Sequence, residues 1–164
     1  MIDWYPWVVL AHVIGAFGFV LAHGVSAFVA FRLRSARSSE QVTTLMDLSG
    51  SSLMVAYASL LVILVAGVAA GFMGDWWGRA WIWFSIGLLL AIATSMYLVG
   101  TRYYVQVRHA VGQPAPQDPK GTTFERLDPD ALARLLDSRR PELLAAIGGG
   151  GLIVLITLMV LKPG

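Results

Sequence analysis

Two histidines, His12 and His23, stand in an apolar stretch with no charged residue between Asp3 and Arg32. An ionisable side chain there is costly unless it finds a partner, a cavity or a cofactor. On a helix, eleven residues of separation leave the two rings about 20° apart around the axis and about 16 Å apart along it. They therefore share a face with Gly15, Ala16, Phe19, Ser26, Ala27 and Ala30, while Leu10, Ile14, Phe17, Leu21 and Phe28 crowd the opposite side. Small residues let helices approach in lipid and bulky ones face acyl chains, so both imidazoles are expected to point into a bundle. Neutral imidazole is a haem-iron ligand, and two stacked along one helix could seat two b-type haems for electron transfer across a bilayer. At the depth of His23, Met96 and Tyr57 are the candidate axial ligands. No His, Met or Cys faces His12, so a haem there is expected to be five-coordinate or completed by another subunit.

Other chemistries compete for the same two residues. In the plainest, each imidazole donates to a Ser, a Thr or a backbone carbonyl of a neighbouring helix, with Ser59, Ser85 and Thr94 available. His12 and His23 as copper donors would want soft thioethers beside them, but Met46, Met54, Met73, Met96 and Met159 are scattered over different depths. An enzyme oxidising tetrapyrroles would need His12 beside a further basic or electron-accepting group in the core, and the sequence supplies none there. The core also holds no Asp or Glu for a proton chain. His109 lies at the end of its segment among Arg102, Tyr104 and Arg108, outside the apolar core. The absence of Cys excludes disulfides, CxxC redox motifs and covalent CxxCH haem attachment. No GxSxG, GxxxxGK[ST] or HExxH motif is present. The expectation is a non-catalytic accessory or cofactor-binding subunit.

The elements that must position these residues follow from composition. Of 164 residues, 57% are hydrophobic and only 13% charged, where soluble domains run near a quarter. Four apolar segments, at about 5–31, 51–73, 80–107 and 142–161, are long enough to cross the roughly 20-residue span of a bilayer. They make the chain, over 1–164, a single all-α integral membrane bundle with no room for a soluble catalytic domain. The net charge of +2 gives no reason to expect nucleic acid. Asp3 and the long first segment suit a retained helix better than a signal peptide.

Ten basic residues, from Arg32 to Arg37 and from Arg102 to Arg140, fall on one side, and Arg79 and Lys162 on the other. That bias makes the first side cytoplasmic and places both termini outside. Trp4, Trp7, Trp76, Trp77, Trp81 and Trp83 all fall at the outer boundary and form an interfacial belt. Between the third and fourth segments (108–141), the Pro-rich run 112–119 reads as an extended linker. After it, Asp128 suits an N-cap and Pro129 a first helical position. Ala131, Leu132, Leu135 and Leu136 share a face there, so a short cytoplasmic amphipathic helix is expected on the inner membrane surface.

Four strings carry a resemblance: Leu10-Ala-His-Val-Ile-Gly-Ala16, Phe31-Arg-Leu-Arg34, Ala69-Ala-Gly-Phe-Met-Gly74 and Trp76-Trp-Gly-Arg-Ala-Trp-Ile-Trp83. Over about Trp7 to Gly112 the chain resembles the bacterial predicted integral membrane proteins of the DUF2269 family (domain of unknown function). The Leu-x-His-Val-x-Gly opening is also similar to that of CopD-type copper-resistance and HemJ-type protoporphyrinogen-oxidase membrane domains. The resemblance implies a helical bundle of the bacterial cytoplasmic membrane with a functional histidine in its first helix, which here is His12 alone. His23 and the run Gly148 to Gly151 lie outside the shared pattern. The bilayer, a second copy of the chain and a larger membrane complex are the partners to expect.

Overall fold

The computed structural model describes residues 3–163. Five helices follow in chain order: α1 Tyr5–Leu33, α2 Ser39–Met73, α3 Ala80–Ala110, α4 Pro129–Leu136 and α5 Arg140–Leu161. No strand occurs among the described residues. Four helical stretches are long and apolar enough to cross a membrane, the last lying within 129–161. A break at 137–139 leaves α5 as that crossing. The chain is a multi-pass, all-helical membrane protein built as two antiparallel pairs, α1 with α2 and α3 with α5. The two pairs meet mainly where α1 touches α5.

The expected faces of α1 are the observed ones. Leu10, Ile14, Phe17, Leu21 and Phe28 are exposed, while Gly15 and Ala30 are buried and both histidines half-buried. The pair α1–α2 closes through small residues: a Cβ at Gly15 would lie 3.1 Å from Ile63 and Val62, and one at Gly18 would meet the Ser59 hydroxyl at 2.6 Å. Ser26 and Ser52 hydroxyls hydrogen-bond across the same seam at 2.8 Å.

The second helix begins at Ser39, twelve residues before the expected start at Ser51. Hydropathy alone set that expectation, whereas the start is fixed by capping. Ser38 Oγ accepts from the Gln41 amide at 3.2 Å, and Gln41 Oε1 accepts from the Arg37 amide at 3.0 Å, a variant of the capping box. At 35 residues α2 is about 52 Å long, and a hydrocarbon layer is about 30 Å thick. Its first three turns therefore project beyond the apolar layer at the basic end, as does the end of α3, which runs to Ala110 rather than Val107.

The main cluster of fully buried side chains lies in that projecting region. Val29, Leu33, Val42, Met46, Tyr103, Val107, Val111, Leu132 and Leu136 form one core. Asp128 caps α4 as expected, its carboxylate accepting from the Ala131 amide at 2.9 Å. The apolar face of α4, expected on the membrane surface, instead packs Leu132 and Leu136 into this core, because the projecting ends of α2 and α3 supply the apolar partner. Nor is the run 112–119 extended, as its prolines suggest: turns close it, Ala115 is buried, and Leu127 N–H returns to the Ala110 carbonyl at 2.9 Å.

Candidate functional site

His12 reaches across the α1–α2 seam, its Nδ1 2.8 Å from the Ile63 carbonyl oxygen. A carbonyl only accepts, so Nδ1 is the ring nitrogen that donates here. Gly67 makes this approach feasible, since a Cβ there would stand 3.0 Å from His12 Cε1. The spacing Gly67-xxx-Gly71 thus serves two contacts, because a Cβ at Gly71 would lie 3.0 Å from the Trp77 ring.

His23 turns to the other pair of helices. Its ring stacks on Phe19, with centroids 5.8 Å apart and planes 8° from parallel. A Cβ at Gly148 of α5 would come within 2.5 Å of His23 Nε2 and 3.6 Å of Met96 Cε. His23 and Met96 therefore converge on one point of the α5 backbone. Tyr57 does not join them: it is 63% exposed on the outer side of α2.

The geometry bears directly on haem. A porphyrin plane between His23 and Met96 does not fit, because the imidazole already lies against α5 at Gly148 and insertion would part α1 from α5. His12 differs: its hydrogen bond to Ile63 uses Nδ1, so Nε2 is the ring nitrogen that would hold an iron. Met54, Met73 and Met159 are exposed on separate surfaces and Met46 is in the basic-end core, so these thioethers do not gather at either histidine. Ser85 Oγ donates to its own helix at Trp81 O, 2.8 Å away, and Ser59 packs on Gly18, so neither hydroxyl is the imidazole partner.

The groups that complete these contacts differ in how the sequence marks them. The Ile63 carbonyl has no side-chain signature. Gly148 does: four consecutive glycines in an apolar helix mark a close approach.

The tryptophans gather at the end away from the main basic cluster. Trp76 Nε1 donates to Tyr5 Oη at 3.1 Å, Trp83 Nε1 donates to Trp77 O at 3.1 Å, and Lys162 Nζ lies 4.4 Å from the Trp76 ring. Trp81 packs edge-on to Trp76, while Trp4 and Trp7 remain exposed.

At the basic end His109 has partners of its own. Its Nε2 is 2.7 Å from Asp118 Oδ2 and its ring stacks on Phe124 with centroids 3.6 Å apart. The Ala115 amide and His109 together hold the Asp118 carboxyl below the usual carboxylate range. Glu142 and Asp137 pair with Arg34 and push its guanidinium further up.

Comparison with protein-family models, with curated proteins and with solved structures finds no match for this chain.

Proposed function

We propose that this chain is a non-catalytic accessory subunit of the bacterial cytoplasmic membrane, with its basic end in the cytoplasm and both termini outside. In this reading His12 and His23 join helices. The observation that carries it is the placement of both imidazoles in seams, His12 on Ile63 O over Gly67 and His23 against Gly148. Each contact uses the imidazole to tie α1 to a different neighbour, which is the work of a packing residue in a lipid-embedded bundle. Such a subunit acts by presenting a stable surface to a second copy or to a larger complex.

One observation favours a second reading, a b-type haem on His12. The Nδ1–H bond to Ile63 O fixes the tautomer that leaves Nε2 as a donor, as second-sphere carbonyls do for metal-bound histidines. A bound haem would supply electron transfer, and His12 would hold its iron from one side. The likeness of the string around His12 to membrane domains of metal and tetrapyrrole chemistry points the same way.

One experiment separates the readings. The gently purified protein is examined by absorption before and after addition of haemin, alongside His12→Ala. The helix-joining reading expects no Soret band in either protein and a loss of stability for His12→Ala of about 0.6–2 kcal/mol, the worth of an interhelical hydrogen bond in a membrane. A Soret band and reduced b-type bands that vanish with His12→Ala would overturn it in favour of haem.

A further inference from the structure

Some arginines at the basic end meet carboxylates and others do not. Arg34 meets Glu142 and Asp137, and Arg108 lies 3.9 Å from Asp47. Arg32, Arg102, Arg139 and Arg140 are exposed and have no carboxylate partner among the described residues.

These four come from α1, α3 and the start of α5, yet they stand at one height. Gly100 of α3 faces Leu144 of α5, and the Arg140 guanidinium lies 5.9 Å from the centre of the Tyr103 ring, next to Arg102. Arg34, two residues beyond Arg32, reaches Glu142 in the first turn of α5. From that level α5 rises about 33 Å over its 22 residues, close to the roughly 30 Å of a hydrocarbon layer. At the far end Lys162 rests on Trp76, among the tryptophans. The four arginines therefore lie where lipid headgroups lie.

Each also has an exposed apolar neighbour on its own helix face, on the side toward the hydrocarbon. Phe28 precedes Arg32 by four residues, Leu98 precedes Arg102 by four, and Leu143 follows Arg139 by four and Arg140 by three. A ligand that uses both members of each pair carries a negative charge directly beside a hydrocarbon chain. Free phosphate or a nucleotide would meet the guanidinium and leave the apolar neighbour uncovered. A zwitterionic headgroup brings a cation that the surplus of arginine repels.

We propose that Arg32, Arg102, Arg139 and Arg140 form a collar that binds the headgroups of anionic phospholipids. The collar ties the lipid of one leaflet to α1, α3 and α5 at once, around the membrane edge of the basic-end core. It rests on the crossing of the membrane by these helices and is independent of what the histidines do.

The test uses the full chain in neutral detergent, titrated with phosphatidylglycerol, phosphatidylcholine or inorganic phosphate, with bound lipid read by native mass spectrometry and stability by thermal unfolding. Phosphatidylglycerol should be retained about fivefold more tightly than phosphatidylcholine and should raise the melting temperature, and added salt should erode that preference. The combined variant Arg102→Gln, Arg139→Gln, Arg140→Gln should lose the preference, whereas Arg134→Gln in α4 should keep it. Should the triple variant fail to fold, the unmodified chain still decides the matter. Equal retention of the two lipids, or an equal rise in melting temperature with inorganic phosphate, would overturn the collar.

Discussion

At the basic end, Leu33, Val42, Tyr103, Val107 and Leu136 are sealed inside the protein, as in a water-soluble core. In the apolar windows of the same chain only 6 to 11% of residues are buried, and large side chains such as Phe17, Leu21, Met54 and Phe72 stand outside. The difference follows from the solvent. Where the alternative is water, removing a large apolar side chain from it stabilises the fold, so big residues collect inside. Where the alternative is hydrocarbon that gain vanishes, and close approach at Gly15, Gly18, Gly67 and Gly148, with a few hydrogen bonds, holds the helices. One continuous helix, α2, passes through both regimes: Val42 and Met46 at its start serve the core, and Ser52, Ser59 and Gly67 farther on serve the seam.

The largest expected effect sets one regime against the other. Leu136→Ala removes a fully buried side chain from the core that α4 completes, and should cost about 2–5 kcal/mol. Leu21→Ala removes the same atoms from a side chain that is 71% exposed on α1, and should cost only the few tenths expected of a surface substitution. Thermal or denaturant unfolding of both variants in the same detergent checks this, and similar losses would erase the distinction.

A smaller effect is expected in the seams, where adding atoms matters more than removing them. Gly148→Ala would press a methyl group onto the His23 ring and on toward Met96, at a cost of about 1–3 kcal/mol for overpacking. Gly149→Ala, one residue on and with nothing within 4 Å of the added atom, should be tolerated. Combining Gly148→Ala with His23→Ala should recover most of the loss, since the second change makes room for the first. A double variant weaker than the sum of its parts would show that His23 contributes more to the seam than its contact with Gly148.

What the sequence made legible divides along the same line. The bounds of α1 and α5, the start of α3 and the lipid-facing side of α1 follow from apolar length and from bulky residues at helical spacing, and they lie where those signals put them. The start of α2 does not, because Ser39 to Gly50 is polar on most faces. There the informative signals were Ser38 and Gln41 at capping distance and Val42, Leu45 and Met46 at helical spacing. The face of α4 was readable but its partner was not, since an amphipathic pattern names a surface without saying whether lipid or protein covers it. At the histidines, periodicity put His12 and His23 on the inner face and depth put Met96 near His23. The acceptor on Ile63 is a backbone atom, and Tyr57 faces away because the rotation of α2 is set by Ser52 and Ser59 against α1.

The smallest effect is a pH dependence confined to the basic end. The Asp118 carboxylate accepts the Ala115 amide and the His109 ring N–H, bonds that only the folded chain makes, so its pKa when folded is below the ordinary 3.8. The folded state thus releases that proton more readily than the unfolded one. The stabilisation is fully present above the ordinary carboxylate value and is lost as pH falls through the lower folded value. Asp128, held low by the Ala131 amide at the start of α4, behaves in the same direction. Hydrogen exchange across 111–136, followed from about pH 6 down to about pH 3 and corrected for intrinsic rates, should therefore report a progressive loss of protection in the loop and α4. Asp118→Asn should remove the part centred on Ala115 and leave the part centred on α4. The seams at His12 and His23 contain no carboxylate, so Asp118→Asn should leave protection of α1 between Gly15 and Ala27 unchanged. A matching loss of protection there would mean that the basic-end core and the intramembrane seams unfold as one unit, and that the division between them is one of packing alone and not of stability.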